Sequence, residues 1–302
     1  MGTTPLTYPI DPVAAAGDAP CREDFSSSGG GRPATVIAPK RGWQAVNFSE
    51  IWHHRELLYF LVWRDIKVQY KQTMLGPLWA VLRPLANLLV FSLIFGTLAG
   101  LPSDGVPYPI FLYAGMLPWT FFSSALVSST NSLLSHASLL SKIYFPRFLL
   151  PTASVAANVV NLAINFAIYG GIMLWYRHLP GLSVLLLPLL VLLTAMLALG
   201  IGCFLAGLTV IYRDIRFVVG SMIGAWMYLS PVIYPMTLVP EGYRWLLVLN
   251  PMTGIIGAFR SVLLNQPVPW SALGFSVAFA LAMFVIGFYF FHRTERRVVD
   301  VA

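Results

Sequence analysis

Six apolar segments dominate this chain and leave it few folds to choose from, each near the ~20 residues a helix needs to cross ~30 Å of hydrocarbon. They run over 75–98, 110–134, 149–175, 182–210, 217–234 and 270–291. Within lipid every backbone N–H and C=O must find a partner in its own helix or in the surrounding protein, so the series implies an all-α integral membrane protein with six spans. Composition agrees. Of the 302 residues, 57% are hydrophobic and 10% charged, against roughly 25% charged in a soluble protein.

Between the fifth and sixth segments lies 236–269, moderately apolar but interrupted by Pro240, Asn250-Pro251, Gly254, Gly257 and Pro267. Its halves, 238–249 and 252–264, are each about half a span long. Two short re-entrant helices dipping into the outer leaflet are expected here, because irregular backbone at membrane depth is tolerated only when protein covers it.

Charge sets the expected orientation. The first 47 residues are rich in Pro, Gly, Ser and Ala, with S-S-S-G-G-G at 26–31, and form an expected disordered tail. They lack the basic and apolar regions of a signal peptide, so the N-terminus is expected in the cytoplasm. With that start, sixteen of the nineteen Lys and Arg residues fall on the inner side, and only Arg177, Arg244 and Arg260 fall outside. Such a bias is the positive-inside pattern, and it places both termini in the cytoplasm. It also accounts for the net charge of +7 without nucleic acid. Four regions follow: the tail at 1–47, a surface helix at 48–73, a six-span domain at 74–292, and a cytoplasmic tail at 293–302.

The surface helix is read from its periodicity. At ~100° per residue, Ile51, Leu58, Val62, Ile66 and Tyr70 share one side, with Arg64, Lys67 and Lys71 nearly opposite. A helix so divided lies along a membrane, apolar side toward acyl chains and cations toward anionic headgroups or an anionic substrate. Gly76-Pro77 then breaks it, and the chain turns into the first span.

Chemistry is sparse. No phosphate-loop, H-E-x-x-H or G-x-S-x-G pattern is present. His53, His54, His136, His178 and His292 are scattered without companion carboxylates, and no metal site is expected. Cys21 and Cys203 are read as passive thiols. Asp65, Asp104, Asp214 and Glu241 sit at or beyond the ends of spans, whereas ion-driven transporters place such groups at depth. With no energy source of its own, the chain needs a partner to do work. Two inner loops suit docking to one. S-K-I-Y-F-P-R at 141–147 sets the apolar Ile143, Tyr144 and Phe145 between Ser141-Lys142 and Arg147, an apolar knob flanked by cations. I-Y-R-D-I-R-F at 211–217 is a shorter loop of the same kind, with Arg213 beside Asp214.

Several of these stretches resemble a known family. R-D-I-K-V-Q-Y-K-Q-T-M-L-G-P-L-W-A-V-L-R-P at 64–84, Y-P-I-F-L-Y-A-G-M-L-P-W-T-F-F at 108–122, L-L-S-K-I-Y-F-P-R at 139–147, Y-R-D-I at 212–215, S-P-V-I-Y-P at 230–235 and L-N-P at 249–251 are similar, in order and spacing, to permeases of the type-2 ABC transporter class that export bacterial polysaccharides. The resemblance covers about 48–297. It implies a six-span permease that works as a homodimer in the bacterial cytoplasmic (inner) membrane, carries two copies of a separate ATPase that binds ATP and Mg, and exports a lipid-linked glycan such as O-antigen, capsule or teichoic acid. No cofactor would be bound by this chain, and no catalysis would be its own. The resemblance further implies ATPase coupling through Ser141, Lys142, Ile143, Tyr144, Phe145 and Arg147, a second contact at Arg213 and Asp214, and outer gate helices carrying Tyr243, Trp245, Asn250 and Pro251. Two positions depart from the pattern: Gln69 stands where members often have a basic residue, and Arg83 where they have a neutral one.

Such an exporter must pass sugars on a polyprenyl pyrophosphate through hydrocarbon. Aromatic faces at Trp119, Phe121, Phe122, Trp226 and Tyr228 suit the path, as does a polar stripe at Ser124, Ser128, Asn131 and Ser135, spaced 4, 3 and 4. Arg64, Lys67 and Lys71 would receive the pyrophosphate. Serine and asparagine stripes also join helices, and aromatics also mark interfaces. Export of a small drug or lipid by the same architecture, and a membrane-embedded glycosyl- or acyltransferase, are the alternatives.

Overall fold

The computed structural model describes residues 54–71, 78–136, 139, 145–178, 180–212 and 214–298. The tail at 1–47, the loop core at 141–144 and Arg213 lie outside them. Among the described residues the fold is helical throughout, with no strand. Helix α1 is Arg55–Tyr70. Helix α2, Leu78–Phe91, continues as a π-helical turn, Ser92–Leu98. Then come α3 (Tyr108–Ser135), α4 (Leu149–Trp175), and α5 (Leu187–Ile211) with its leading 3-10 turn Leu182–Leu186. The remainder is α6 (Ile215–Leu229), α7 (Arg244–Val248), α8 (Pro251–Leu264) and α9 (Trp270–Val298).

Five helical stretches are long and apolar enough to cross a bilayer: Leu78–Leu98, Tyr108–Ser135, Leu149–Trp175, Leu182–Ile211 and Trp270–Thr294. They coincide with five of the six expected segments. α3 is the hub of the bundle. Every residue from Ile110 to Trp119 is buried, enclosed mainly by α4, α5 and α8. α5 and α9 meet at backbone contact, because Gly200 and Gly287 face each other: a Cβ on Gly200 would stand 2.6 Å from the Phe284 nitrogen, and one on Gly287 would strike the Gly200 carbonyl. The last helix runs on through Arg293 to Val298, so the expected C-terminal tail begins as helix.

The fifth apolar segment departs from expectation. It is helical for only 15 residues, ~22 Å at ~1.5 Å per residue, and stops at Ser230 rather than Tyr234. Pro231 is the reason, since a proline disfavours helical backbone in the residue before it. Ser230 is extended. The turn that follows, S-P-V-I-Y-P, is buried at Ser230, Pro231, Val232, Ile233 and Pro235, so its carbonyls need partners.

Each finds one. Asn250 Nδ2 donates to the Leu229 carbonyl (3.4 Å), the Val232 N–H to Ser230 (2.7 Å), and the Tyr108 hydroxyl to Ile233 (2.9 Å). Arg260 supplies the rest. Its Nη1 donates to the carbonyls of Pro231 (2.7 Å) and Tyr234 (3.3 Å), and its Nη2 to Val232. The guanidinium carbon lies 3.8 Å from the centroid of the Phe111 ring, and Gly115 leaves it room, because a Cβ there would stand 2.6 Å from Nη2. Charge counting assigns Arg260 to the outer surface; the fold puts it inside the protein, 6% exposed.

Arg260 projects from α8, which follows α7 through a bend of 101°. Asn250 makes that corner: its side chain accepts from the Met252 N–H (3.0 Å), capping α8, and donates to Ser230 Oγ (2.8 Å). Every residue of α8 except Gly257 is buried. Of the two expected short helices, the second matches α8 within a residue, while the first is broken into Met236–Leu238, Glu241–Tyr243 and α7.

Replacing Arg260 with Met keeps the volume and removes the donors of two buried carbonyls, Pro231 and Val232, and of the half-buried Tyr234 carbonyl. At ~1–3 kcal/mol for each unsatisfied group, a loss of at least ~3 kcal/mol is expected. Thermal unfolding of the purified protein checks it: a clear drop in midpoint, with Arg260→Lys between Met and wild type.

Candidate functional site

Among the described residues, α1 meets the bundle through an apolar cluster and a polar one. Leu61, 1% exposed, packs with Leu133, Phe145, Phe148 and Leu149. One turn on, Asp65 Oδ1 accepts from Arg64 (3.0 Å) and lies 3.2 Å from His136 Nε2 at the end of α3, while Oδ2 accepts from Ser154 of α4 (3.3 Å). The other ring nitrogen of His136 lies 2.6 Å from the Ser132 carbonyl, which holds the imidazole against Asp65. The face turned inward thus carries Leu57, Leu58, Leu61 and Val62, which pack in the apolar cluster, with Arg64 and Asp65 beside them. Leu58, Val62 and Ile66, the apolar side read from the sequence, are half-buried, and Tyr59, Phe60, Trp63 and Val68 are exposed.

Where α1 ends, a groove of about 390 Å³ opens between α2, α3 and α4. Its lining is polar for a bundle this apolar. Gln69 comes from α1; Trp79, Arg83 and Asn87 come from one face of α2, at spacings of four. α3 adds Thr120, Phe121 and Ser124, and α4 adds Asn158, Asn161 and Asn165 at the i, i+3, i+7 positions of a single stripe. The stripe is tied in place: Asn158 Nδ2 donates to the Ser154 carbonyl (2.8 Å) and to Ser128 Oγ (3.2 Å), and Asn161 Nδ2 donates to Asn158 Oδ1 (3.3 Å). Asn165 accepts from the Tyr113 hydroxyl (2.9 Å), whose ring stacks on Tyr169 at 5.9 Å.

The expected site residues divide. Phe121 and Ser124 line the groove, and Ser128 supports it through Asn158. Asn131 donates to the Val127 carbonyl (2.9 Å) of its own helix, and Ser135 is exposed at the end of α3. Trp119 and Phe122 are instead buried, and the half-buried Trp226 packs edge-on to Trp119 at 6.2 Å and to Phe122 at 5.3 Å, its indole N–H donating to Asn250 (3.2 Å). Tyr228 is exposed. Arg64 is committed to Asp65; Lys67 is exposed with its ammonium 5.1 Å from the Trp63 ring, and Lys71 is exposed just past α1. Phe145, read as an exposed knob, is buried in the apolar cluster that also holds Leu61 of α1; Arg147 is half-buried. Asp214 is exposed at the start of α6. Tyr243 and Trp245 are exposed, while Asn250 and Pro251 form the corner into α8. Ser141, Lys142, Ile143, Tyr144 and Arg213 lie outside the described residues. No group of three or more His, Cys, Asp or Glu among the described residues could hold a metal ion.

The family model described as ABC-2 type transporter matches residues 56–264, most of the chain and every element from α1 to α8. The chain belongs to the ABC-2 type transporter family. Among the transporter's relatives is the O-antigen export system permease protein RfbA of Myxococcus xanthus, 30% identical over 73% of this chain and 85% of that protein. The RfbA protein of Klebsiella pneumoniae is 25% identical over 82% of this chain and 95% of its own length. The polysialic acid transport protein KpsM of Escherichia coli is 24% identical over 78% and 92%. This transporter is a multi-pass membrane protein, as its helices and its relatives both require.

Reading the transporter's sequence for aromatic faces passed over the asparagine stripe. The spacing of Asn158, Asn161 and Asn165 was a detectable signal, since carboxamides are costly at membrane depth unless paired. The Asp65–His136–Ser154 contact left none, because its members are far apart in the chain. Asp65→Ala is expected to remove about 1–3 kcal/mol of docking free energy from α1. Hydrogen exchange of the full-length protein checks this: amides of 55–70 should exchange roughly tenfold faster or more, with those of α3 unchanged.

Proposed function

We propose that this chain is the membrane subunit of an ATP-driven exporter that moves a lipid-linked polysaccharide across the cytoplasmic membrane of a bacterium. One observation carries the reading: a polar groove lies among the apolar spans of an ABC-2 type transporter whose relatives are named for O-antigen export and polysialic acid transport. A drug or lipid exporter would favour an apolar site, so the hydrogen-bonding lining supports a hydroxyl-rich cargo.

In this reading α1 lies on the inner leaflet, and its exposed Lys67 and Lys71, with Arg64 behind them, attract the pyrophosphate of the lipid carrier. The work comes from a separate ATPase, which holds ATP and Mg. It docks at 141–147 and at Arg213-Asp214. The flanks of the first loop support that role: His136 and Phe145 both bear on α1, so a displaced loop moves the helix whose Gln69 borders the groove. α2, with no buried residue, and α6, with only Val219 buried, leave surface for a second copy of the chain. The α7–α8 hairpin gates the outer side through Tyr243 and Trp245.

Charge reversal of Arg64, Lys67 and Lys71 to Glu is expected to lower surface glycan at least tenfold, with lipid-linked glycan accumulating inside the cell. Immunoblots of surface and intracellular glycan, with the protein's abundance as control, check both. Unchanged export by an abundant triple variant would remove the reception role, and a deletion strain with normal surface glycan would remove the exporter reading.

A further inference from the structure

The groove's lining says more about its ligand than that it is polar. Arg83 is the one charged side chain among the described lining residues, and no carboxylate joins it. Its guanidinium leans on the Trp79 ring at 5.8 Å. The groove's other hydrogen-bonding groups are neutral.

These neutral groups are not equally available. Asn158 is used up in structure, with both amide hydrogens and its oxygen engaged by neighbours. Asn165 gives one hydrogen to the Asn161 carbonyl (2.8 Å) and takes one bond from Tyr113, which leaves one hydrogen and one lone pair. Asn87 is exposed and has no hydrogen bond within the described residues, on a helix otherwise suited to lipid. A carboxamide offers a donor beside an acceptor, the pattern that neighbouring hydroxyls of a sugar ring complement. From Asn158 to Asn165 the stripe is ~10.5 Å long at ~1.5 Å rise per residue, the length of a pair of linked pyranose rings. The volume lies within the ~300–1,000 Å³ of small-ligand sites.

We propose that this groove is a binding subsite for an uncharged stretch of glycan, with Asn87 and Asn165 as hydrogen-bonding ligands, Trp79 as a stacking face, and Asn158 as a positioning residue that holds the stripe. The inference rests on the exporter reading and narrows it: the site selects neutral sugars over acidic ones. A polyacidic chain would place a carboxylate on every ring against a single guanidinium, so every charge beyond the first would exchange water for neutral carboxamides, whereas hydroxyls match the donor–acceptor pairs along the whole stripe.

The test uses the full-length protein in lipid nanodiscs and two probes of equal length, neutral maltohexaose and a hexamer of sialic acid, followed by saturation-transfer NMR. Maltohexaose is expected to give a signal at least threefold above the acidic hexamer. Asn87→Leu, at an exposed position with no bond to lose, should cut that signal at least threefold without changing the melting temperature; Asn165→Leu, which also gives up its bonds to Tyr113 and Asn161 and lowers the melting temperature, should cut the signal of the folded protein at least as far. Ser221→Ala, on α6 and away from the groove, should change nothing. Equal signals from the two probes would overturn the selectivity. No maltohexaose signal, or one untouched by both Asn variants, would overturn the subsite. Surface glycan in cells carrying the wild-type chain is read separately, so failure of the groove and failure of the exporter reading give different results.

Discussion

A buried guanidinium feeding the carbonyls of a broken span is the contact on which the rest of the bundle depends. Backbone polar groups away from water must be paired, and a helix does this by itself. The chain leaves helix at Ser230, so Pro231, Val232 and Tyr234 need donors from elsewhere, and a single arginine has enough of them, in a planar fork. The arrangement fixes more than the turn. Arg260 can reach it only if α8 is folded back along α3, and that requires the 101° corner at Asn250 and a glycine at 115. Bend, turn and hub helix form one unit.

The opposite end of the bundle is organised by a second charged contact of a different kind. Asp65 takes bonds from Arg64 and Ser154 and faces His136, so α1 is fastened at one point to α3 and α4. Leu61 adds an apolar anchor beside it. Among the described side chains of α1, the others are half-buried or exposed. These two contacts, on adjacent turns, set α1 against the ends of α3 and α4, with Gln69 at the groove.

The groove shows how a membrane bundle can afford carboxamides. Each asparagine on the α4 stripe braces the next, or a serine or tyrosine beside it, so little of the desolvation cost is left uncompensated. The two positions that depart from the family pattern, Gln69 and Arg83, both line this groove. Among the described lining residues the one cation thus stands on α2, with a neutral carboxamide at the end of α1.

The sequence by itself determined the class of fold, the number of apolar segments, the asymmetry of charge and the family resemblance, because lipid imposes length and hydrophobicity on each span independently of its neighbours. It also showed that regular helix fails at Asn250-Pro251, whereas its fifth apolar segment reads on through Pro231, where the fold breaks it. Tertiary structure alone decided which polar residues serve the fold and which face a cavity. Trp119 and Phe122 became core, with Trp226 packed on them because helices α3 and α6 meet there, Arg260 passed from the outside count to the interior, and Phe145 became buried in the cluster that holds Leu61 of α1. The physical reason is common to all of them. In a chain this apolar the helical period marks a face, but which face meets lipid, protein or a groove depends on what packs against it, and those partners lie tens to more than a hundred residues away.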